Sequence, residues 1–267
     1  MPRHDRLVLC YHAVSPDWPI GLAVTPEALE RQVTVLLQRG YVPATFWEVV
    51  HRPPAARCFA VTFDDGWVSV LRHGFPILHR LAVPATVFVA AGLVDTHEEP
   101  LRGSVIDTWQ DTPYSQELYC LSWEQLRELA ASGWEISAHS MTHPLLTRLD
   151  DATLAWELQE SKRRCEEMLE RPCRTMAYPT GDFDERVERA VVAAGYEAAA
   201  ALPHRFDDPR PTAWPRVSIQ RQDGDVAFRI KVSPLVRAVR RSALWPLLDD
   251  IRLRATGRAK VGSATQS

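Results

Sequence analysis

The sequence predicts an α/β fold built on a mainly parallel sheet, and three observations predict it. Short apolar runs alternate with longer amphipathic ones, the rhythm of successive strand–helix units. Several of the apolar runs stop at small clusters of Asp, His, Gly or Pro, the composition of loops at strand ends. At 267 residues the chain has the size of one α/β barrel and needs no division into two domains.

The elements follow in order. Leu7–Tyr11 reads as a first strand. Thr25 is a natural N-cap with Pro26 behind it, opening a helix to about Gln38 that Gly40 ends. Cys58–Phe63 is strand-like and stops at Asp64-Asp65-Gly66. Val68–Leu81 reads as a helix and Ala85–Ala90 as a buried strand. Residues 96–120 have weak periodicity and read as a long loop, a kind of segment that often carries function. Ser122 caps a helix to about Ala131, and Trp134–Ala138 is the next strand. Asp151–Leu169 is a long helix, Thr175–Tyr178 a strand, Asp184–Ala194 a helix, Tyr196–Leu202 a strand and Pro215–Gln220 a last strand. This places the main domain at residues 1–222. Residues 223–256 form a basic, amphipathic extension: between Arg229 and Lys260 nine basic residues face two acidic ones, with apolar residues interleaved. Residues 257–267 are small and polar and read as a disordered tail.

Composition narrows the function. A formal charge of −3 argues against an electrostatic binder of nucleic acid. The five cysteines are scattered, odd in number and never spaced C-x-x-C, so they form neither a disulfide framework nor a zinc ribbon and suit a reducing compartment. The run Leu7–Tyr11 is interrupted by His12 and lacks an export signal's cleavage site. The longest apolar stretch, Val83–Val94, contains Pro84, Thr86 and Gly92 and is too short to span a bilayer. A cytoplasmic protein is the expectation. Nine tryptophans are many for this length; the type fills cores more often than it stacks on sugars, but it does both.

Three strand-end segments carry the chemistry. In Thr62-Phe63-Asp64-Asp65-Gly66, two adjacent carboxylates repel each other, and a bound cation relieves that cost while leaving one carboxylate free as a base. In His139-Ser140-Met141-Thr142-His143, two imidazoles four residues apart can converge on one ion. In Tyr178-Pro179-Thr180-Gly181, Pro and Gly fix a backbone that could aim the Thr180 N–H at a ligand. Alone, the first and third also read as ordinary turns and the second as two surface histidines at a chance spacing. Together, at strand ends that share one face of a barrel, they compose a hydrolytic metal site of one Asp and two His.

This set resembles the polysaccharide deacetylases with NodB homology, carbohydrate esterase family four. The resemblance covers Leu7 to about Ile219 and implies a single distorted (β/α)7-type barrel, here with the basic helical extension behind it. It implies that Asp64 is the catalytic base, that Asp65, His139 and His143 hold the metal, and that Thr180, with Tyr178 and Pro179, binds the oxyanion or substrate. Two features depart from the family pattern. The arginine expected two residues before the Pro of the third motif is Ala177 here, and Arg216 is the candidate to supply that cation and orient the base. The late Leu-x-His motif that carries the acid is absent. Leu9-Cys10-Tyr11-His12-Ala13-Val14 resembles instead the opening strand of the circularly permuted poly-N-acetylglucosamine deacetylases, which makes His12 the acid.

The implied activity is metal-dependent removal of N-acetyl groups from an amino sugar, in a glycan or a lipid-linked glycan precursor. Zinc is the first choice of cofactor; Co2+, Ni2+, Fe2+ or Mn2+ suit the same donors. Partners are an N-acetylated carbohydrate and, through the basic extension, a membrane surface touched peripherally. A deformylase, a carbohydrate O-acetyl esterase and an inactive glycan-binding module are the rival readings.

Overall fold

The computed structural model describes residues 5–53, 55–95, 107–202 and 209–242. Its strands are β1 Asp5–Tyr11, β2 Ala13–Val14, β3 Ala23–Val24, β4 Val42–Pro43, β5 Arg57–Phe63, β6 Ala85–Val89, β7 Glu135–Ala138, β8 Thr175–Ala177, β9 Ala198–Ala201, β10 Trp214–Pro215 and β11 Val217–Ser218. Its helices are α1 Pro26–Gln38, α2 Phe46–His51, α3 Phe75–Arg80, α4 Trp123–Ala131, α5 Asp151–Leu169, α6 Glu185–Ala193, α7 Asp225–Lys231 and α8 Pro234–Arg241.

The main sheet is parallel and runs β10-β9-β8-β7-β6-β5-β1-β11, with β4 added on β5. Its two edges come from one short segment. Trp214 and Pro215 pair with β9, Val217 and Ser218 pair with β1, and Arg216 stands between them. The sheet therefore returns on itself as a nearly closed barrel, the distorted (β/α)7 type. One continuous strand over Pro215–Gln220 was the expectation. The split has a local cause, since Pro215 has no N–H to give to a ladder. The Arg216 N–H then bonds Ala201 O on one side, and the Ile219 N–H bonds Cys10 O on the other.

The strands are buried on both faces, as expected of a parallel sheet with helices outside. The Thr25 hydroxyl accepts from the Ala28 N–H at the start of α1, whose Leu29, Val33 and Leu36 line one buried stripe. Each such side chain, fully buried, contributes about 1.5–3 kcal/mol of transfer free energy. Ser122 and Gln125 form a capping box at α4, and Asp150 caps α5.

Two segments differ from the expectation. Val68–Leu81 is not one α-helix: residues 70–74 form a wide π-type turn before α3. Pro76, which has no N–H for the preceding turn, sits where the winding changes. Helix α2 lacks a sequence expectation because six residues are too few to show a period; a capping box of Thr45 and Glu48 starts it.

Beyond the barrel, α7 buries Phe228, and Val232 follows it into the main core. Helix α8 buries Arg237 against Asp5, which also accepts from the Tyr41 hydroxyl. Residues 243–267, which hold the rest of the basic extension and the expected disordered tail, lie outside the described residues. Of the expected loop, residues 107–120 are described. They carry two short 3-10 turns and pack Trp109 and Tyr114 beside Trp18 and Trp67.

Candidate active site

Strand β5 ends at Phe63 and hands the chain to the two carboxylates, whose oxygens lie 3.9 Å (Asp64 Oδ2) and 3.7 Å (Asp65 Oδ1) from His139 Nε2. The Asp64 N–H bonds Tyr11 O at 3.0 Å and continues the ladder with β1. Asp65 turns into the left-handed region at φ 70°, where a non-glycine residue is strained by about 1–2 kcal/mol. Gly66 follows at φ 71°, and a Cβ there would lie 2.8 Å from Val89 Cγ1, so only glycine fits. At the end of β7 the His139 N–H bonds Val89 O, and Ser140 and His143 again have positive φ, 60° and 63°. The Ser140 hydroxyl accepts from the His143 N–H at 3.0 Å. Asp65, Ser140, His143 and Thr180 are four of the positive-φ non-glycine residues among those described, and such strain gathers where a site is held by its surroundings.

The turns bring three donors together. His143 Nε2 lies 3.4 Å and His139 Nε2 3.7 Å from Asp65 Oδ1. A tetrahedral ion with bonds of about 2.0–2.2 Å sets its ligand atoms roughly 3.3–3.6 Å apart, so the cluster fits one divalent ion. The tautomer fits too. His139 Nδ1 lies 2.8 Å from the Ala177 carbonyl, to which it donates, and this leaves the Nε2 lone pair facing Asp65. Burial, more than any neighbour, holds His139 down to a pKa of about 4, against the pull of Asp64, so it stays neutral and ready to ligate.

A residue the sequence did not offer supports this loop. Glu157 on α5 is buried and accepts from the Met141 and Thr142 N–H groups at 2.8 and 2.9 Å and from the Thr142 hydroxyl. The signal that could have found it is an acid in the buried stripe of α5, beside Leu154, Leu158 and Ser161.

Asp64 points to another partner. Arg216 Nη1 bonds its Oδ1 at 2.6 Å and Nη2 its Oδ2 at 2.8 Å, and Nη1 also reaches the Thr62 hydroxyl at 3.0 Å. Both residues are about 1% exposed. Burial pushes the Asp64 pKa up, but the Arg216 charge and then His139 outweigh it and hold the carboxyl well below its ordinary range. The structure thus puts Arg216 where Ala177 leaves the cation missing. His12 follows the last paired residues of β1 and β5, Tyr11 and Phe63, so the register sets it beside Asp64. Donor atoms of Cys10, His12 and Asp64 lie within 4.8 Å of one another.

The third motif follows β8. Thr180 is exposed at φ 57°, and its N–H has no protein acceptor among the described residues. Tyr178 is fully buried. Its ring stacks on Phe183 and its hydroxyl donates to Thr212 O at 2.7 Å. Pro179 is buried as well and starts the turn. His51, His73 and His79 take no part, while His4, His97 and His204 lie outside the described residues.

Fold and site together define a parallel α/β barrel with an Asp–His–His donor cluster beside a carboxylate clamped by arginine. A family profile described as polysaccharide deacetylase matches residues 51–199, and the chain belongs to that family. It is 23% identical over 232 residues to YxkH of Bacillus subtilis strain 168, a protein named as a polysaccharide deacetylase by assignment, covering 85% of this chain and 71% of that one. It is 29% identical over 151 residues to the poly-beta-1,6-N-acetyl-D-glucosamine N-deacetylase of Escherichia coli K12, covering 52% of this chain but about a fifth of that protein. Among solved structures it is similar to IcaB from Ammonifex degensii, with a TM-score of 0.65, 25% identity and coverage of 88% of this chain and 97% of that one. IcaB is of the circularly permuted type to which the opening strand of this chain points.

Proposed function

We propose that this chain is a metal-dependent hydrolase that removes N-acetyl groups from an amino sugar in a glycan or lipid-linked glycan precursor. The observation that carries the reading is the Asp65–His139–His143 cluster with Asp64 beside it, unliganded and held by Arg216.

When bound by Asp65, His139 and His143, a divalent ion (zinc first, with Co2+, Ni2+, Fe2+ or Mn2+ as alternatives) supplies Lewis acidity toward the acetyl carbonyl and acidifies water. The remaining steps belong to side chains and backbone. Arg216 keeps Asp64 ionised and fixes both of its oxygens, so its free lone pairs can take the proton of the attacking water. Thr180 offers an unused N–H to the oxyanion that develops on the acetyl carbonyl oxygen as water adds to the carbon. His12, beside Asp64, gives its proton to the departing amine as the C–N bond breaks, and acetate and a free amino sugar leave.

The substrate class rests on the names of relatives that act on poly-N-acetylglucosamine and on the family itself. A reducing, cytoplasmic setting suits five cysteines that are all free, and such a setting favours a precursor over a finished extracellular polymer. Peripheral membrane contact is supported by one face of the C-terminal helices. Val226, Ile230, Leu235 and Val239 are exposed there among basic residues, although Arg237 is buried and Lys231 pairs with Asp223. Flotation with anionic liposomes, with and without residues 229–267, tests that contact; equal binding would refute it.

The activity is tested by reconstituting the metal-free chain with each divalent ion and measuring acetate release from N-acetylated sugars and oligosaccharides. Acetate together with a new amine is the expected result. Formate or a freed hydroxyl would move the reading to a deformylase or an esterase. One bound ion per chain without turnover on any acetylated glycan would make it an inactive binding module.

A further inference from the structure

The geometry points to a second ion site made by Cys10, His12 and Asp64, one that takes a thiophilic divalent cation and blocks the centre when filled. Its donor atoms lie within 4.8 Å of one another, and Cys10 Sγ is 3.5 Å from Asp64 Oδ2. With a metal–sulfur bond of about 2.3 Å and metal–oxygen and metal–nitrogen bonds of about 2.0–2.2 Å, ligand atoms on one tetrahedral ion stand roughly 3.3–3.6 Å apart. The sulfur–oxygen edge is therefore already formed, and a His12 ring nitrogen stands within 4.8 Å of both atoms.

A second observation points the same way. His12 Nδ1 is buried and has no hydrogen-bond partner among the described residues. Buried ring nitrogens are ordinarily paired, and an imidazole that is to ligate needs a free lone pair. Cys10 is committed no further than to Asp64 and, at 3.8 Å, to the Tyr11 carbonyl. Cys10 lies on β1 and His12 directly follows the strand's last residue, Tyr11, which brings both beside Asp64.

Charge ranks the two sites. The Asp65–His139–His143 cluster carries a carboxylate with no cationic partner, whereas an ion at Asp64 meets the Arg216 guanidinium. The second site fills after the first and needs the strength of a thiolate bond. On binding, the Cys10 S–H bond breaks, its proton leaves to solvent and a sulfur–metal bond forms. Zn2+, Co2+ and Cd2+ gain from that bond; Mg2+ and Mn2+ do not. The inhibitory consequence rests on the proposed function, because it follows from occupying Asp64 and His12. The occupancy does not.

The experiment is a titration of the metal-free full chain with cobalt(II), followed by absorption. The first equivalent should add only ligand-field bands, and excess cobalt should add a near-ultraviolet thiolate-to-cobalt charge-transfer band. Cys10→Ser should lose that band and keep the first equivalent. In an acetate-release assay, excess Zn2+ should inhibit the wild type and excess Mn2+ should not, with the zinc midpoint of Cys10→Ser raised more than about tenfold. The absence of a charge-transfer band at excess cobalt overturns the site. So does a band that survives Cys10→Ser but disappears in Cys120→Ser, since Cys120 Sγ lies 3.7 Å from the Asp65 carbonyl. If Cys10→Ser does not fold, His143→Ala serves: the band should persist there, and its loss means the thiolate belongs to the first ion. A band without turnover on any glycan upholds the site and sinks the proposed function alone.

Discussion

Arg216 and Asp64, 152 residues apart in the chain, meet through two hydrogen bonds of 2.6 and 2.8 Å, and both residues are buried. Arg216 stands between the backbone pairs that join the two sheet edges, so the turn that closes the barrel also brings its side chain to the carboxylate.

Removing one partner strands the other's charge. Arg216→Ala is expected to destabilise the fold by about 3–5 kcal/mol, the usual cost of breaking a buried pair on one side. It should also raise the Asp64 pKa, because burial then acts unopposed by the guanidinium. The acid limb of the kcat/KM profile should move to higher pH. Denaturant titration and a pH–rate profile check both halves; an unmoved acid limb would separate Arg216 from the base.

Asp64→Asn and His143→Ala should fail in different ways. The first leaves the Asp65–His139–His143 donors intact, so metal content holds while turnover falls roughly 10²–10⁴-fold. The second removes a donor 3.4 Å from Asp65, so metal and turnover go together. Metal analysis of the purified variants beside acetate release reads the difference, and wild-type turnover in Asp64→Asn would show that the base lies elsewhere.

His12→Ala should lower kcat roughly 10²–10⁴-fold, the range for losing a general acid, with metal content unchanged at one equivalent. A substrate with an activated leaving group should be spared most of the loss, since it departs without a proton. An equal loss on both substrates would assign His12 a structural part.

His139 gives a pH dependence with a definite sign. Its folded pKa, about 4, lies below the ordinary value near 6.5. The unfolded chain therefore binds the proton first. Stability from this group is complete above about pH 6.5 and is lost as pH falls toward 4. Protons also compete with metal for Nε2, so metal affinity should weaken over the same window. Thermal melts of the metal-free chain and metal titrations at stepped pH measure the two effects; melting temperature independent of pH across that range would contradict the buried neutral imidazole.

Glu157 touches no donor directly, yet it fixes the backbone between His139 and His143. Glu157→Gln should weaken metal binding roughly 10–100-fold, as loss of supporting contacts around ligands does. The dissociation constant for zinc should change while the Asp64-dependent acid limb stays in place. Unaltered metal affinity would leave Glu157 a purely structural residue.

Much of this molecule is legible in its sequence because the relevant physics is local. Helix α1 begins at the expected Thr25–Pro26 signal and α5 spans the expected Asp151–Leu169, since capping and a long apolar stripe act within a few turns. The apolar run of β5 and the Asp64-Asp65-Gly66 turn that ends it are likewise readable together. Pro215 marks the break at Arg216 locally, but the two different edges that the segment joins on either side were not readable, because they depend on barrel closure.

What the sequence determined by itself is the set of strand-end segments holding Asp64, Asp65, His139, His143 and His12, since hydrophobic patterning and turn residues act between neighbours. Tertiary structure alone decided how they are served: the two-point contact that Arg216, named from the sequence only as a candidate, makes with Asp64, Glu157 under the histidine loop, Cys10 beside Asp64, and the Tyr178 hydroxyl on Thr212. The physical reason is that a side chain's direction and charge partner are set by strand register and sheet closure, which join segments far apart in the chain.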